Sequence, residues 1–133
     1  MARRLENSSE EFLQFWQERH LSTLTTVRLD GTPHVVPVGV TLDVATATAR
    51  VISSGTSYKA RQIRAAGPGG AQVAVCQVDG RRWSTLQGVA VVRDDPEAVA
   101  DAEHRYEQRY KKPRPNPSRV VIEISVTKVL GNV

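Results

Sequence analysis

Two hairpin signals constrain this chain more than any other feature of its sequence. Asp30-Gly31 and Asp79-Gly80 each stand between two runs rich in β-branched residues, and an Asp-Gly pair readily forms a tight hairpin turn. The four flanking strands are predicted at Leu21–Arg28, His34–Leu42, Ala71–Val78 and Trp83–Arg93. Hairpin strands are antiparallel, and no glycine fingerprint of a parallel βαβ unit occurs. The sequence therefore favours an antiparallel β fold.

Two further strands and a first helix follow from similar patterns. Thr48–Ser54 is rich in β-formers, and Arg119–Val129 alternates clearly between apolar and polar residues. Ser8 and Glu11 have the spacing of a capping box, which predicts that Ser8 caps a short helix ending near Arg19-His20. Its apolar face is predicted to consist of Phe12, Leu13, Phe15 and Trp16.

Two more helices are predicted later in the chain. Tyr58–Ala66 is a plausible short helix, and the glycine-rich segment Gly67–Gly70 after it must be a loop. Asp94-Asp95-Pro96 begins the third helix, with aspartate at the cap and proline in the first turn. Val99, Ala102, Tyr106 and Tyr110 lie along one face of that predicted helix. A proline-rich connector, Lys111–Ser118, leads to the last strand.

These elements predict a mainly β (α+β) fold, a six-stranded antiparallel β-barrel with peripheral helices. Barrel closure suits the pattern because it removes exposed strand edges. Pro37 cannot donate a ladder hydrogen bond, so its part of the strand should lie at an edge or face a ligand. A barrel this small leaves little room for a deep pocket, so we expect a ligand on the outside, at an interface between subunits.

Composition narrows the class of protein. The chain has 133 residues, which points to one domain spanning 1–133, and its 40% hydrophobic and 24% charged residues are typical of a globular protein. We expect no signal peptide and no membrane-spanning segment, and take a cytoplasmic location as the default. Cys76 is the only cysteine, which excludes an intrachain disulfide and zinc sites of the paired-cysteine type. No metal site is predicted.

The formal net charge of +4 suits either an anionic ligand or a mildly basic solvated surface. The segment Val51–Arg64 favours an anion. There a predicted strand ends, hydroxyl-bearing residues surround Gly55, and a helix begins with Lys59 and Arg61 in its first turn. Free N–H groups and the positive end of the helix dipole would converge on a phosphate. The alternative is that Ser57 only caps the helix while the cations stay in solvent.

Catalytic side chains are not evident. His34 lies alone on a strand, and His20 and His104 are interpreted as solvated helix residues. Cys76 is interpreted as a small core residue, whereas Trp83 fits a core position and an interface equally well. Since no Ser-His-Asp order or carboxylate pair stands out, a cofactor is expected to carry any reaction.

Four segments of the chain resemble a known family. They are HVVPVGVTLD, RVISSGTSYKA, CQVDGRRWSTLQG and RYEQRYKKPRPNPSRVVIEI. Together they are similar to the split β-barrel flavin and deazaflavin reductases, a superfamily that includes the pyridoxamine 5'-phosphate oxidases. Within it the chain most resembles the F420-dependent biliverdin reductases, from about Leu13 to Leu130.

The resemblance implies a homodimer of FMN-binding split-barrel type that binds coenzyme F420, a deazaflavin with a phosphate-linked oligoglutamate tail. The residues against the ring would be His34, Val35, Val36 and Pro37. Those holding the phosphate would be Ser53, Ser54, Gly55, Thr56, Ser57, Tyr58 and Lys59. Arg81, Arg82 and Trp83 would reach the site from the partner subunit, and substrate carboxylates would meet Arg81, Lys112 and Arg114.

The implied reaction is hydride transfer from reduced F420 to a small conjugated substrate, biliverdin if the closest match holds. No side chain is predicted to be catalytic. An FMN-dependent oxidase or reductase of the same fold remains open, as does a non-catalytic F420-binding or storage protein. Nucleic-acid binding through residues 109–119 is disfavoured, because this segment lacks the aromatic residues that stack on bases. No membrane partner is expected.

Overall fold

Seven antiparallel strands form one sheet, with three helices packed around it, in a computed structural model that describes Leu5 and residues 8–133. The strands are β1 (Ser22–Val27), β2 (Pro33–Val38), β3 (Thr41–Asp43), β4 (Thr48–Ser54), β5 (Ala71–Asp79), β6 (Arg82–Arg93) and β7 (Arg119–Gly131). The helices are α1 (Glu10–Gln17), α2 (Tyr58–Ala65) and α3 (Pro96–Arg109). The mainly β, antiparallel architecture predicted from the sequence is confirmed.

The strand order explains why the sheet is curled yet open. It runs β2-β1-β5-β6-β7-β4-β3, so β2 and β3 are its two edges. Only Gly39 and Val40 separate these edge strands along the chain. Two residues span less than about 11 Å, so the sheet must roll until its edges approach one another. No ladder joins β2 to β3 in the described residues, and the expected closed barrel is therefore split at this point.

The predicted count of six strands is wrong because the single strand expected at His34–Leu42 is two strands, β2 and β3. The break occurs at Gly39, where an added Cβ would lie 2.9 Å from a ring carbon of Tyr106. Tyr110 reinforces the break, since its hydroxyl accepts a hydrogen bond from the Val40 N–H at 3.1 Å. Helix α3 thus covers the gap between the sheet edges.

Alternation along the strands builds the core. In β1, Ser22, Leu24 and Thr26 are buried while Thr23 and Val27 are exposed, as a half-buried strand requires. Helix α1 adds three buried aromatic residues, Phe12, Phe15 and Trp16. The indole N–H of Trp16 donates to the Ser84 hydroxyl at 3.1 Å, so burial of the indole leaves no polar group unsatisfied there.

The boundaries of α1 differ from the prediction. Ser9, rather than Ser8, caps the helix and accepts from the Phe12 N–H at 3.1 Å. Ser8 instead donates to the Leu5 carbonyl at 2.5 Å. The helix ends at Gln17, before Arg19-His20, because Glu18 already has extended backbone angles. A capping signal fixes a helix start only to within a residue when two serines are adjacent.

The predicted caps of the other helices are confirmed. Ser57 accepts from the Ala60 N–H at the start of α2, and Asp95 accepts from the Ala98 N–H at the start of α3. Among the described residues, no helix has the length and apolar character needed to cross a bilayer. Residues 1–4 and 6–7, which the expectation about a signal peptide concerned, lie outside the described part of the chain.

Candidate functional site

A hydroxyl-lined loop connects β4 to α2. Its backbone is fixed by the Gly55 N–H, which donates to the Ser118 carbonyl at 2.7 Å. A Cβ at position 55 would lie 3.2 Å from that same carbonyl oxygen, so a glycine allows this close approach. The hydroxyl oxygens of Ser53 and Ser57 are 2.9 Å apart, and those of Ser54 and Thr56 are 3.0 Å apart. The predicted phosphate-binding segment thus forms one compact cluster of donors.

Lys59 lies in the first turn of α2, directly after this hydroxyl cluster. Its side chain is half-buried, and burial lowers the pKa of its ammonium group. Within the described part of the chain, no carboxylate comes within ion-pair distance of it. A cation at a helix start opposes the helix dipole, and a desolvated cation without a counter-ion is costlier still. An anion bound at the loop would relieve both costs.

Strand β2 lies beside the start of α2. The rings of His34 and Tyr58 are 4.7 Å apart between centroids, so the strand predicted to face the cofactor ring touches the predicted phosphate loop. The Nδ1 atom of His34 is buried without a hydrogen-bond partner among the described residues. Pro37 lies on an edge strand, as predicted, and Val35 points outward with 55% of its surface exposed.

Arg82 and Trp83 lie at the far end of the sheet from this loop. His34 is paired with Thr26, near the end of β1. Trp83 is paired with Val78 of β5, which lies one residue past the partner of Ser22, the first residue of β1. At 3.3 Å per residue this separates His34 from Trp83 by about 17 Å along the strands. A single chain therefore does not bring Arg82 or Trp83 to the loop.

Arg82 already has acidic partners within its own chain. Its guanidinium pairs with Glu18 at 3.0 Å and with Asp79, and stacks 4.9 Å from the centre of the Phe15 ring. His20 joins this cluster through a 2.9 Å contact with Glu18. His20 is therefore not the solvated helix residue predicted, because it follows α1 and is held against Glu18. The Arg82 and His20 contacts lower the pKa of the Glu18 carboxyl.

The tentative substrate-binding residues are not brought together. Lys112 and Arg114 are exposed on the connector, and Lys112 borders a shallow cavity with Glu103 and Glu107 of α3. Arg81 is exposed in the β5–β6 turn and does not border this cavity. Their assignment to one substrate site stays a prediction.

Sequence patterns missed a buried arginine. The Arg109 guanidinium donates to the Glu18 carbonyl at 2.7 and 2.9 Å, to the Gln77 side chain at 2.6 Å and to the Val40 carbonyl. Burial lowers its pKa. Because these acceptors come from the residue after α1, from β5 and from the β2–β3 junction, Arg109 connects segments that are distant in sequence. Its position near the end of α3 gave no local signal of this role.

Cys76 is also not where it was predicted. It is opposite Thr23 and Thr85 on the face of the sheet that points away from the core, and it is only partly buried. Its neighbours in the strand, Val75 and Gln77, are both fully buried. The sequence pattern predicted that every second residue of this strand is buried, but it did not show which of the two alternating sets of side chains faces the core.

Fold and site together define an antiparallel split-barrel protein with a loop suited to an anionic group. Residues 8–132 match the sequence profile of pyridoxamine 5'-phosphate oxidase. The chain therefore belongs to the pyridoxamine 5'-phosphate oxidase family, and the resemblance found in its sequence is confirmed.

Similarity to individual known proteins supports this family assignment. The chain is 52% identical over 124 residues to an F420H2-dependent biliverdin reductase of Mycobacterium tuberculosis, covering 93% of this chain and 88% of that protein. The crystal structure of a conserved hypothetical protein from the same species superposes with a TM-score of 0.76 and 22% identity, covering 98% of this chain and 88% of the other. An F420 reductase superposes with a TM-score of 0.72 and 23% identity, covering 92% and 98%.

Proposed function

We propose that this protein is an F420-dependent oxidoreductase that transfers a hydride to a small conjugated substrate, with biliverdin as the first candidate. The observation that carries the proposal is the 52% identity, over 93% of the chain, to an F420H2-dependent biliverdin reductase. Identity at this level over most of both chains supports the same cofactor for this protein. The site described above supplies the physical support.

The residues present fit the phosphate of such a cofactor. Phosphate oxygens accept hydrogen bonds, and the loop offers hydroxyls from Ser53, Thr56 and Ser57 within one turn. Lys59 adds a half-buried cation that has no carboxylate partner in the described structure. Charge-assisted hydrogen bonds of this kind are stronger than neutral ones. We therefore assign phosphate binding to the loop and to Lys59.

Strand β2 is the proposed support for the cofactor ring. It is an edge strand, so one side of its backbone has no strand partner in the described sheet. His34, Val35, Val36 and Pro37 lie on this strand, and the His34 ring contacts Tyr58 at the start of α2, directly after the loop. A flat support and an anchored phosphate would fix a ring in both position and orientation.

When bound, a reduced deazaflavin supplies a hydride and so carries the redox chemistry itself. The protein's part is then to hold the phosphate, orient the ring and keep the reacting face dry. No described side chain is assigned as a proton donor. Orientation of two flat π-systems is the contribution that a site without a catalytic side chain can make.

A second copy of the chain is the proposed partner. Strands β2, β1, β5 and the first half of β6 present a continuous face that points away from the core, the outer face. The side chains at its centre are uncharged. They are Pro33, Val35, Pro37, Thr23, Thr25, Val27, Ala74, Cys76, Val78, Trp83, Thr85 and Gln87. A large uncharged surface of this kind typically marks a protein interface.

Two-fold pairing would also complete the site. In an isologous dimer, when residue i of one copy contacts residue j of the other, residue j of the first also contacts residue i of the second. Trp83, 39% exposed at one end of this face, could then approach β2 of a second copy at the other end. This supports the prediction that Arg82 and Trp83 reach the cofactor across the interface, since a single chain keeps them apart.

The decisive experiment mixes the protein with chemically reduced F420 and biliverdin and follows deazaflavin oxidation and bilin reduction together. We expect stoichiometric conversion, and no conversion when reduced FMN replaces F420. Equal turnover with FMN would favour the alternative FMN-dependent enzyme. Tight F420 binding without hydride transfer to biliverdin or to other conjugated acceptors would indicate a binding or storage protein instead.

A further inference from the structure

A concavity bordered by Tyr58 has no residue of β2 among its lining residues. It is a cavity of about 670 Å³ between the end of β1, the turn after it and one face of α2. This volume is within the range of about 300–1,000 Å³ typical of small-molecule sites. Much of its wall is apolar, formed by Val27, Leu29, Ile63, Ala65, Ala66 and Ala71. Neither the proposed phosphate contacts nor the proposed ring contacts account for it.

Two arginines border this cavity close to an exposed aromatic ring. The guanidinium carbons of Arg28 and Arg61 lie 5.7 and 6.0 Å from the centre of the Tyr58 ring. Neither arginine forms an ion pair with any carboxylate in the described structure. Arg28 donates to the Pro33 carbonyl at 2.6 Å, which fixes its direction. Arg61 is exposed, and its side chain forms no hydrogen bond with any residue of the described part of the chain.

Among the described residues that line the cavity, Asp30 is the acidic one, and its hydrogen bonds are made to Thr32 in its own turn. The Asp30 carboxylate accepts from the Thr32 hydroxyl at 2.6 Å and from the Thr32 N–H at 3.0 Å. These two contacts are the main reason why the pKa of Asp30 is lowered. With two guanidinium groups and one carboxylate, the cavity keeps a net positive charge.

We propose that this cavity binds the carboxylate-bearing part of an organic ligand, with Arg61 and Arg28 as its carboxylate partners. Planar guanidinium groups match carboxylates geometrically, while the alanine and valine walls and Tyr58 suit the carbon skeleton that bears the acid. This inference rests on the proposed function, because Tyr58 borders the cavity and directly follows the hydroxyl-lined loop between β4 and α2. The carboxylates could belong to the substrate or to an acidic extension of the cofactor.

The test compares Arg61→Gln with wild type and with Lys111→Gln, a control that removes one exposed positive charge outside the cavity. Equilibrium dissociation constants are measured for two ligand pairs. The substrate pair is biliverdin and its dimethyl ester, whose carboxylates are blocked. The cofactor pair is oxidised F420 and the same phosphate-bearing deazaflavin without its glutamate tail. Melting temperatures check that the variants fold.

We expect Arg61→Gln to weaken binding of the acid-bearing member of one pair by about 5- to 50-fold, and of its blocked or tail-less counterpart by less than about twofold. The affected pair identifies the source of the carboxylate. Lys111→Gln should leave all four constants within about twofold. The inference is overturned if Arg61→Gln affects no ligand, or affects both members of each pair equally.

The same measurements separate the two proposals. Normal wild-type binding of F420 and biliverdin, with no selective loss in Arg61→Gln, would remove the carboxylate site and leave the proposed function standing. If wild type binds none of the four ligands, both proposals are wrong.

Discussion

Replacement of Lys59 by methionine separates a ligand-binding role from a merely structural one. The substitution keeps most of the apolar stem that is half-buried at the start of α2 but removes the ammonium group. Because no carboxylate in the described structure pairs with Lys59, the substitution leaves no buried acid without a partner. Any large loss of cofactor affinity can then be attributed to the missing cation.

The expected size of the loss follows from the surroundings of Lys59. A charge-assisted hydrogen bond in a partly desolvated site contributes about 1.5–3 kcal/mol. Its loss should raise the dissociation constant for F420 by roughly 10- to 150-fold. The cofactor-free protein should lose no stability. Removal of a cation that opposes the α2 dipole should instead raise the free energy of unfolding by up to about 1 kcal/mol.

The effect on stability also has a defined pH dependence. Burial lowers the pKa of Lys59 in the folded chain below its value in the unfolded chain, so the unfolded chain holds this proton more tightly. The cost of keeping Lys59 charged is therefore fully present near neutral pH and is lost as the pH rises past the folded pKa. The stability gained by Lys59→Met should accordingly be largest at neutral pH and shrink under alkaline conditions.

The assay pairs fluorescence titration of F420 with thermal unfolding of the cofactor-free protein. Lys111→Met serves as the matched control, since Lys111 is exposed beyond the end of α3. An F420 dissociation constant within about threefold of wild type would refute the assignment of Lys59 to the phosphate. A marked fall in both affinity and melting temperature would show that Lys59 is structural.

Two further outcomes test the interface and the ionic cluster. Thr25→Glu places a charge at the centre of the outer face, between Val35 and Ala74; light scattering at micromolar concentration should show a dimer becoming a monomer. Gln14→Glu, on the exposed side of α1, should leave the mass unchanged, and a dimeric Thr25→Glu would count against this interface. Arg82→Gln removes the main contact that lowers the pKa of Glu18. The free energy of unfolding of Arg82→Gln should be lower than that of wild type above the ordinary glutamate pKa, and this difference should disappear as acid protonates Glu18. An equal difference at pH 2 and pH 7 in denaturant titrations would contradict this role.

The parts of the site that the sequence predicted are those built from neighbouring residues. The run from Ser53 to Lys59 is contiguous, and its helix cap depends on Ser57 and Ala60, three positions apart. The hairpin turns at Asp30-Gly31 and Asp79-Gly80 are equally local, and both occur where predicted. Such features are readable because side-chain and backbone chemistry within one turn decides them.

The parts that the sequence did not predict depend on contacts between distant segments. The break between β2 and β3 follows from Tyr106 and Tyr110 packing against Gly39, about seventy positions away. The position of Arg109 depends on acceptors just after α1 and in β5, and the cavity beside Tyr58 exists only because α2 packs near the end of β1. No pattern within a short window contains such information.

The sequence by itself determined the antiparallel strands, the hairpin turns, the capped helices and a loop rich in anion-binding groups. Only the tertiary structure decided which side of each strand is covered, and so placed Cys76 outside the core rather than inside it. It also placed Trp83 about 17 Å along the strands from His34. Local preferences depend on the conformation of a few adjacent residues, whereas burial depends on which surfaces meet once the whole sheet has curled.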